Sequence, residues 1–413
     1  MLRKFSWRIG ALLVAAAALV ALVGASIAPA ASHKASAGTM RIWTDGDRKA
    51  AITKVANAWS AKSGVSIQVV QKEFGDIRSQ LGTVKPEDAP DVIMAAHDWT
   101  GQLAANGLVI PLVPKASALK AIPGYARKAF TYGKLYGMPV ALENVGLFVN
   151  TKLAKVPKSW SDLEKKALAF QKKGDGRVGL AVQQGSGGDA YHMYPFFSGL
   201  CGYIFKSTNG RLNPNKVGVD NALFLKNSSM INKWNKEGLI NSKINGDTAT
   251  QLFTSGKAAY WVTGPWNIDT ARKAGINFKI VQVPKIKCNA VPFLGVQGLM
   301  VTKYASGHGV ATASKDFVAN YMAGAGPQAT LAAANNRFPA NTAAGKRVSD
   351  PSLKQIGLAS KGGVPMPNIP QMASVWGDLG DAWVKSTKGD GATPAAQAFK
   401  TAAKNIRAKI AGG

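Results

Sequence analysis

Acidic residues are scarce in this chain. Only 22 Asp and Glu stand against 51 Lys and Arg in 413 residues, a formal charge of +29 at pH 7, and no acid occurs before Asp45. A basic excess of this size points to a polyanion, an anionic surface or an acidic solute as partner. The bases are nevertheless scattered along helical and loop segments, not gathered in an arginine-rich stripe with interleaved aromatics. The expectation is therefore a solvated basic surface and no nucleic-acid partner. Histidine is equally sparse, with four residues. His97 and His192 are too isolated to suggest zinc, and no HExxH, CxxC or Ser-His-Asp elbow occurs. Gly185-Ser186-Gly187-Gly188 is glycine-rich but lacks the Lys-Ser/Thr of a phosphate loop, so it reads as a flexible loop. No metal and no cofactor are expected. The two cysteines, Cys201 and Cys288, lie so far apart in sequence that a bridge and two half-buried free thiols are both open readings.

An uncharged apolar run, Gly10 to Val23, follows Arg3, Lys4 and Arg8 and precedes the small triplet Ala28-Pro29-Ala30. That is the pattern of a secretory signal peptide over residues 1–30 with a leader tail at 31–38, too short for a membrane span. No cysteine follows the run to carry a lipid. The mature chain is expected in the periplasm or on the outer face of the cell envelope, where oxidation of thiols is permitted.

About 380 residues remain after cleavage, above the usual size of a single hydrophobic core, so two domains are expected. Strand-like runs at Thr39–Thr44, Val65–Val70, Asp91–Met94, Lys134–Val140 and Leu147–Asn150 alternate with helical stretches such as Lys49–Lys62. This alternation predicts an α/β layered fold with parallel-rich sheets. At the far end Thr393-Pro394 reads as a cap with Pro at the first helical position, ahead of a terminal helix whose apolar face is Phe399, Ala402, Ile406 and Ile410. There is no internal repeat and no interdomain linker.

The most specific stretch is Met366-Pro367-Asn368-Ile369-Pro370-Gln371-Met372, with Trp376 four residues on. Two prolines three apart fix φ and remove backbone donors, which forbids helix through Ile369 and holds Met366 in an extended loop. The segment resembles the C-terminal ligand-site motif of the maltose and maltodextrin-binding proteins of bacterial sugar ABC importers. Other stretches match that family in the same order: Ile42 to Asp47, Pro90 to Ile93 with His97-Asp98, Gly133 to Tyr136 through Glu143, Val217 to Asn221, Gly264-Pro265-Trp266, and Pro292 to Val296.

The resemblance implies a two-lobe periplasmic-binding-protein fold of type II-like topology with a ligand cleft between lobes. One lobe would hold residues 39–143 and 294–350, the other 144–293 and 351–413. It further implies that Asp47, Asp98 and Glu143 accept sugar hydroxyls and that Arg48 is a basic donor. Asp189 and Tyr191 would be an acidic and an aromatic contact, Trp266 a stacking ring, and Met366 and Trp376 the far wall. A sugar needs this combination, since its rings have apolar faces and its hydroxyls seek charged or amide partners. Taken singly, these residues have plainer explanations. Asp47 could bond its own turn, Asp98 and Glu143 could cap helices, and Trp266 could be core.

Departures from the family pattern are informative too. Ala95 stands where the family has a stacking Trp and Trp99 where it has an Arg, so Trp99 is expected to cover the sugar instead. Gly246 replaces a Tyr, His192 a Phe, and Asp189 a Glu. The implied function is capture of maltose, maltodextrin or a related α-linked oligosaccharide by a monomer that delivers it to a membrane permease and ATPase. A glycosidase would need two carboxyl groups about 5–10 Å apart across the bond to be cut; the resemblance, whose members release sugar unchanged, speaks against an enzyme. A secreted glycoside-acting enzyme and an envelope polyanion-binding protein are the alternatives.

Overall fold

The computed structural model describes residues 38–208 and 211–412; the expected signal peptide lies outside them. The strands in chain order are β1 (Met40–Thr44), β2 (Ile67–Gln71), β3 (Val92–Ala96), β4 (Thr131–Tyr132), β5 (Lys134–Leu135), β6 (Gly137–Glu143), β7 (Gly146–Asn150), β8 (Val178–Val182), β9 (Phe205–Thr208), β10 (Arg211–Val217), β11 (Ala258–Thr263), β12 (Phe278–Val281), β13 (Phe293–Val301), β14 (Phe338–Pro339) and β15 (Val364–Pro365). Two of the sheets they form carry the architecture. The larger has the order β14-β6-β13-β3-β1-β2, with β15 against the start of β13. The smaller has the order β12-β7-β11-β8. Residues of β3, β7 and β11 are buried throughout, as unbroken apolar runs with cover on both faces require.

The sheets are mixed, not parallel-rich as the alternation of elements suggested. β1 runs parallel to β2 and β3, but β13 is antiparallel to both β3 and β6, and β7 is antiparallel to β11 and β12. The reason is the path of the chain. β6 and β7 are separated by Asn144 and Val145 alone, yet they belong to different sheets, and β13 returns the chain to the first sheet. Strands entering from the other sheet meet their neighbours in the opposite direction.

The helix Gly46–Ser63 buries Ala51, Ile52, Val55, Ala56 and Trp59 and stops at Gly64, whose φ of 72° is the left-handed conformation that ends helices at glycine. The terminal helix, Ala395–Gly412, buries Phe399, Ala402 and Ile406, with Ile410 at its edge. Its first turn closes on the carbonyl of Pro394, which accepts from the Ala398 amide at 3.0 Å, so the proline stands at the cap and the helix begins one residue later than expected. Phe399 packs edge-on to Trp383 of the helix Trp376–Thr387 at 5.3 Å.

Cys201 and Cys288 are bridged. Cys201 follows the helix Ala190–Gly199, and the amides of Lys287 and Cys288 both donate to the Gly199 carbonyl, at 2.9 and 2.8 Å, which holds the two thiols in register. Closing a loop of 87 residues removes unfolded-state entropy worth roughly 4 kcal/mol. Among the described residues no helix is long and apolar enough to cross a membrane.

Candidate ligand-binding site

A cavity of about 580 Å³ opens where the ends of β1, β3, β6 and β11 converge with the C-terminal segment. Each side chain is placed by a strand end or a helix start. Asp45 to Arg48 leave β1 and begin the helix Gly46–Ser63; Asp98 and Trp99 sit in the short turn of helix His97–Trp99 that follows β3; Glu143 ends β6. Opposite them, Asp189 caps the helix Ala190–Gly199, Tyr191 and His192 occupy its first turn, and Trp266 lies in the turn Pro265–Asn267 after β11.

The floor is a buried charge network. Glu143 accepts from Arg337 Nε and Gln297 Nε2, each at 2.6 Å, and lies 3.8 Å from Arg48. Burial opposes ionisation of Glu143, but Arg337 and Arg48 outweigh it and hold its carboxyl below the ordinary value. Arg48 is also bonded to Asp45; burial and the nearby Arg337 lower its pKa. Asp47 stands at the rim, 65% exposed, 3.9 Å from Arg337.

Asp98 differs from the other acids. It is buried and accepts from Trp376 Nε1 at 3.0 Å, and burial pushes its pKa up to about 6 against the opposing influence of Arg78 and the indole bond. Asp189 is half-buried, and it lies below its ordinary pKa: desolvation acts upward, but His192 beside it and bonds from the His192 amide, His192 Nδ1 and Gln183 Nε2 outweigh it. Most of its acceptor capacity is therefore already used.

Met366 is held by His97. The Val296 amide donates to His97 Nδ1 at 3.1 Å, which leaves the proton on Nε2 to donate to the Met366 carbonyl at 3.0 Å. Burial lowers the His97 pKa to about 4, so the ring is neutral. The proline-rich loop lies directly against the helix Thr100–Ala105. A Cβ at Gly101 would come within 2.4 Å of the Asn368 carbonyl oxygen, so only glycine fits there.

The cavity has aromatic walls. Trp266 is half-buried, with Tyr191 at 6.4 Å, the His192 ring edge-on at 5.6 Å, and the Arg337 guanidinium 5.5 Å from its centroid. Four polar atoms of lining residues are buried without a hydrogen-bond partner: Tyr191 Oη, His192 Nε2, Gln297 Oε1 and Arg337 Nη1. Buried polar atoms are seldom left unpaired, and unpaired groups around one cavity are those a polar ligand would satisfy.

A family model for bacterial extracellular solute-binding proteins matches residues 54–355. The chain belongs to that family. Members of this solute-binding family bind their ligands without turning them over. A galactooligosaccharide-binding protein of Bacillus subtilis (strain 168) is 28% identical over 416 residues, 95% of each chain. The maltodextrin-binding protein MdxE of the same organism is 28% identical over 348 residues, 79% of each chain. Among solved structures, the Thermus thermophilus maltotriose binding protein bound with maltotriose is similar with a TM-score of 0.80 at 25% identity, covering 90% of this chain and all of that one.

All ten residues singled out in this solute-binding chain, Asp47, Arg48, Asp98, Trp99, Glu143, Asp189, Tyr191, Trp266, Met366 and Trp376, line the cavity. Ala95, at the place of the family's stacking Trp, does not reach the cavity. Side chains alternate along a strand, and Ala95 is fully buried in the core opposite Gly298, whereas its neighbour Ala96 faces the cavity. No space for a ring exists at Ala95. Trp99 reaches the lining but is 5% exposed and packed at 4.7 Å against Phe74, with Arg78 above it at 5.8 Å. Phe74, Arg78, Gln183, Gln297 and Arg337 also line the cavity, and no sequence feature marked them. Gly246 is not in the lining, but a Cβ there would lie 3.3 Å from Gln183 Oε1, so the position adjoins the site.

Proposed function

We propose that this chain is the solute-capturing component of an ABC-type sugar importer and binds an oligosaccharide in the cavity described above. The observation that carries the reading is the composition of that one cavity: aromatic rings, buried carboxylates and four partnerless polar atoms together. Rings give apolar platforms for sugar faces, and ionised groups give hydrogen bonds worth about 1.5–3 kcal/mol each. The relatives named for galactooligosaccharide, maltodextrin and maltotriose support the same class. Within it, an α-linked glucose oligomer is the preferred solute, on the motif around Met366 and Trp376.

The ligand sits, on this reading, between two lobes, residues 39–143 with 294–350 and residues 144–293 with 351–413. The chain acts outside the cytoplasmic membrane as a monomer that hands its solute to a permease and ATPase. A polyanion as solute is disfavoured by the lining, where Asp45, Asp47, Glu73, Asp98, Glu143 and Asp189 outnumber Arg48, Arg78 and Arg337.

The test is calorimetry and thermal shift on the purified chain with maltooligosaccharides and galactooligosaccharides of two to five units. A sugar at 100 times its Kd should add about 2.7 kcal/mol of stability. Binding should fall tenfold or more in Trp266→Ala and Trp376→Ala. A chain that neither series stabilises is not an oligosaccharide receptor, and one that prefers the galacto series corrects the α-glucan preference.

A further inference from the structure

We propose that Arg337 is a specificity-determining residue of the cleft, donating from Nη1 to an oxygen of the sugar unit bound beside Trp266. The inference rests on the oligosaccharide reading above and deepens it. Arg337 enters the cavity from the segment just before β14 and is buried, at 6% exposure. Its three nitrogens have different situations. Nε donates to Glu143 Oε2 at 2.6 Å, Nη2 lies 3.9 Å from Asp47 Oδ2, and Nη1 is buried with no partner.

The guanidinium is planar and its donors stand at fixed angles, so the bond from Nε to Glu143 sets the direction of Nη1. Gln297 donates to the other oxygen of the same carboxylate at 2.6 Å, which prevents Glu143 from turning. Trp266 lies under the guanidinium, 5.5 Å from centroid to Cζ. Donor and stacking ring therefore belong to one subsite, although they come from segments on either side of the cavity.

Arginine donates and never accepts. A sugar presenting an oxygen with a free lone pair to Nη1 satisfies it; a sugar presenting an apolar C–H there leaves a buried donor unpaired. Sites built around such a donor reject analogues lacking the acceptor far more strongly than apolar pockets reject a missing methylene. Arg337 thus reads the configuration or substitution of one sugar position, the kind of difference that separates glucose from galactose units.

The experiment measures Kd by calorimetry for maltotriose, a galactotriose and monodeoxy analogues of the tighter binder. The proteins are the unaltered chain, Arg337→Lys, Arg337→Met and the double variant Arg337→Met/Glu143→Gln, which avoids leaving a buried carboxylate without its partner. The unaltered chain should discriminate against one monodeoxy analogue by tenfold or more. That discrimination should disappear in Arg337→Met and in the double variant, and Arg337→Lys should restore part of it. Uniform weakening of every sugar with the ranking intact, or no weakening, overturns the inference and leaves the oligosaccharide reading standing. Absence of any sugar binding by the unaltered chain overturns both.

Discussion

Asp98 and His97 are adjacent, both buried, and titrate in opposite senses. Asp98 has a folded pKa of about 6 against an ordinary 3.8. Its contribution to stability is therefore fully present below 3.8 and lost as pH rises through about 6, on the order of 3 kcal/mol. Asp98→Asn should raise the melting temperature at pH 7 to 8, with the advantage vanishing below pH 4, while sugar binding weakens. A sugar hydroxyl donating to Asp98 favours its ionised form, so affinity in the unaltered chain should decline as pH falls from 7 to 5; a flat profile would separate Asp98 from the ligand. His97 has the reverse sign. Its folded pKa of about 4 lies below the ordinary 6.5, so its stabilisation is present above 6.5 and lost as pH falls toward 4. His97→Gln can both accept from Val296 and donate to Met366, and should remove most of this acid lability as read by denaturant titrations at pH 5 and 7. Residues carried by contiguous motifs, such as Asp98-Trp99 or the run from Met366 to Trp376, were legible in the sequence. Arg337, Gln297, Gln183, Phe74 and Arg78 were not, because each reaches the cavity alone from a segment whose local pattern concerns only its own strand or helix.

Elements were more legible than their partners. Strand positions followed from apolar runs, and the helix Gly46–Ser63 from its apolar spacing and the glycine that ends it. Strand direction was not readable, since the antiparallel set of β13 is decided by which sheet the chain has just left. The same holds for Cys201 and Cys288, brought together by bonds from the Lys287 and Cys288 amides to the Gly199 carbonyl, a pairing across 87 residues that neither local pattern announces. Reducing that bridge, checked by thermal denaturation with and without reductant, should lower stability by roughly 2–4 kcal/mol. An unchanged melting temperature would show that the bridge does not hold the native chain. Strand alternation gives a second outcome at this scale. Ala95→Trp would force a ring into the packed face of β3, so it should destabilise by about 1–3 kcal/mol or more and gain no affinity; increased binding of maltodextrins would show that Ala95 reaches the cavity after all.

At the scale of the whole molecule, the contacts across the cavity matter most. Trp376 donates to Asp98, His97 to Met366, and Arg337 lies over Trp266. Each contact joins a residue near the larger sheet to one carried by the smaller sheet or the C-terminal segment, and the described chain passes from sheet to sheet at Asn144-Val145 and through residues 282–292 before β13. Short passages permit hinge rotation, and the cross-cavity contacts are the ones that closure would make and opening would break. The free chain should therefore populate an open form, and sugar, by adding bonds on both walls, should shift it to the closed one. Small-angle scattering should show a smaller radius of gyration with saturating sugar than without. Trp376→Phe, which keeps a ring but removes the indole N–H, should enlarge the radius of the free chain while leaving the saturated value near that of the unaltered chain. Equal radii with and without sugar, in a chain that calorimetry shows to be binding, would mean that the chain does not close and that the ligand enters a preformed cavity.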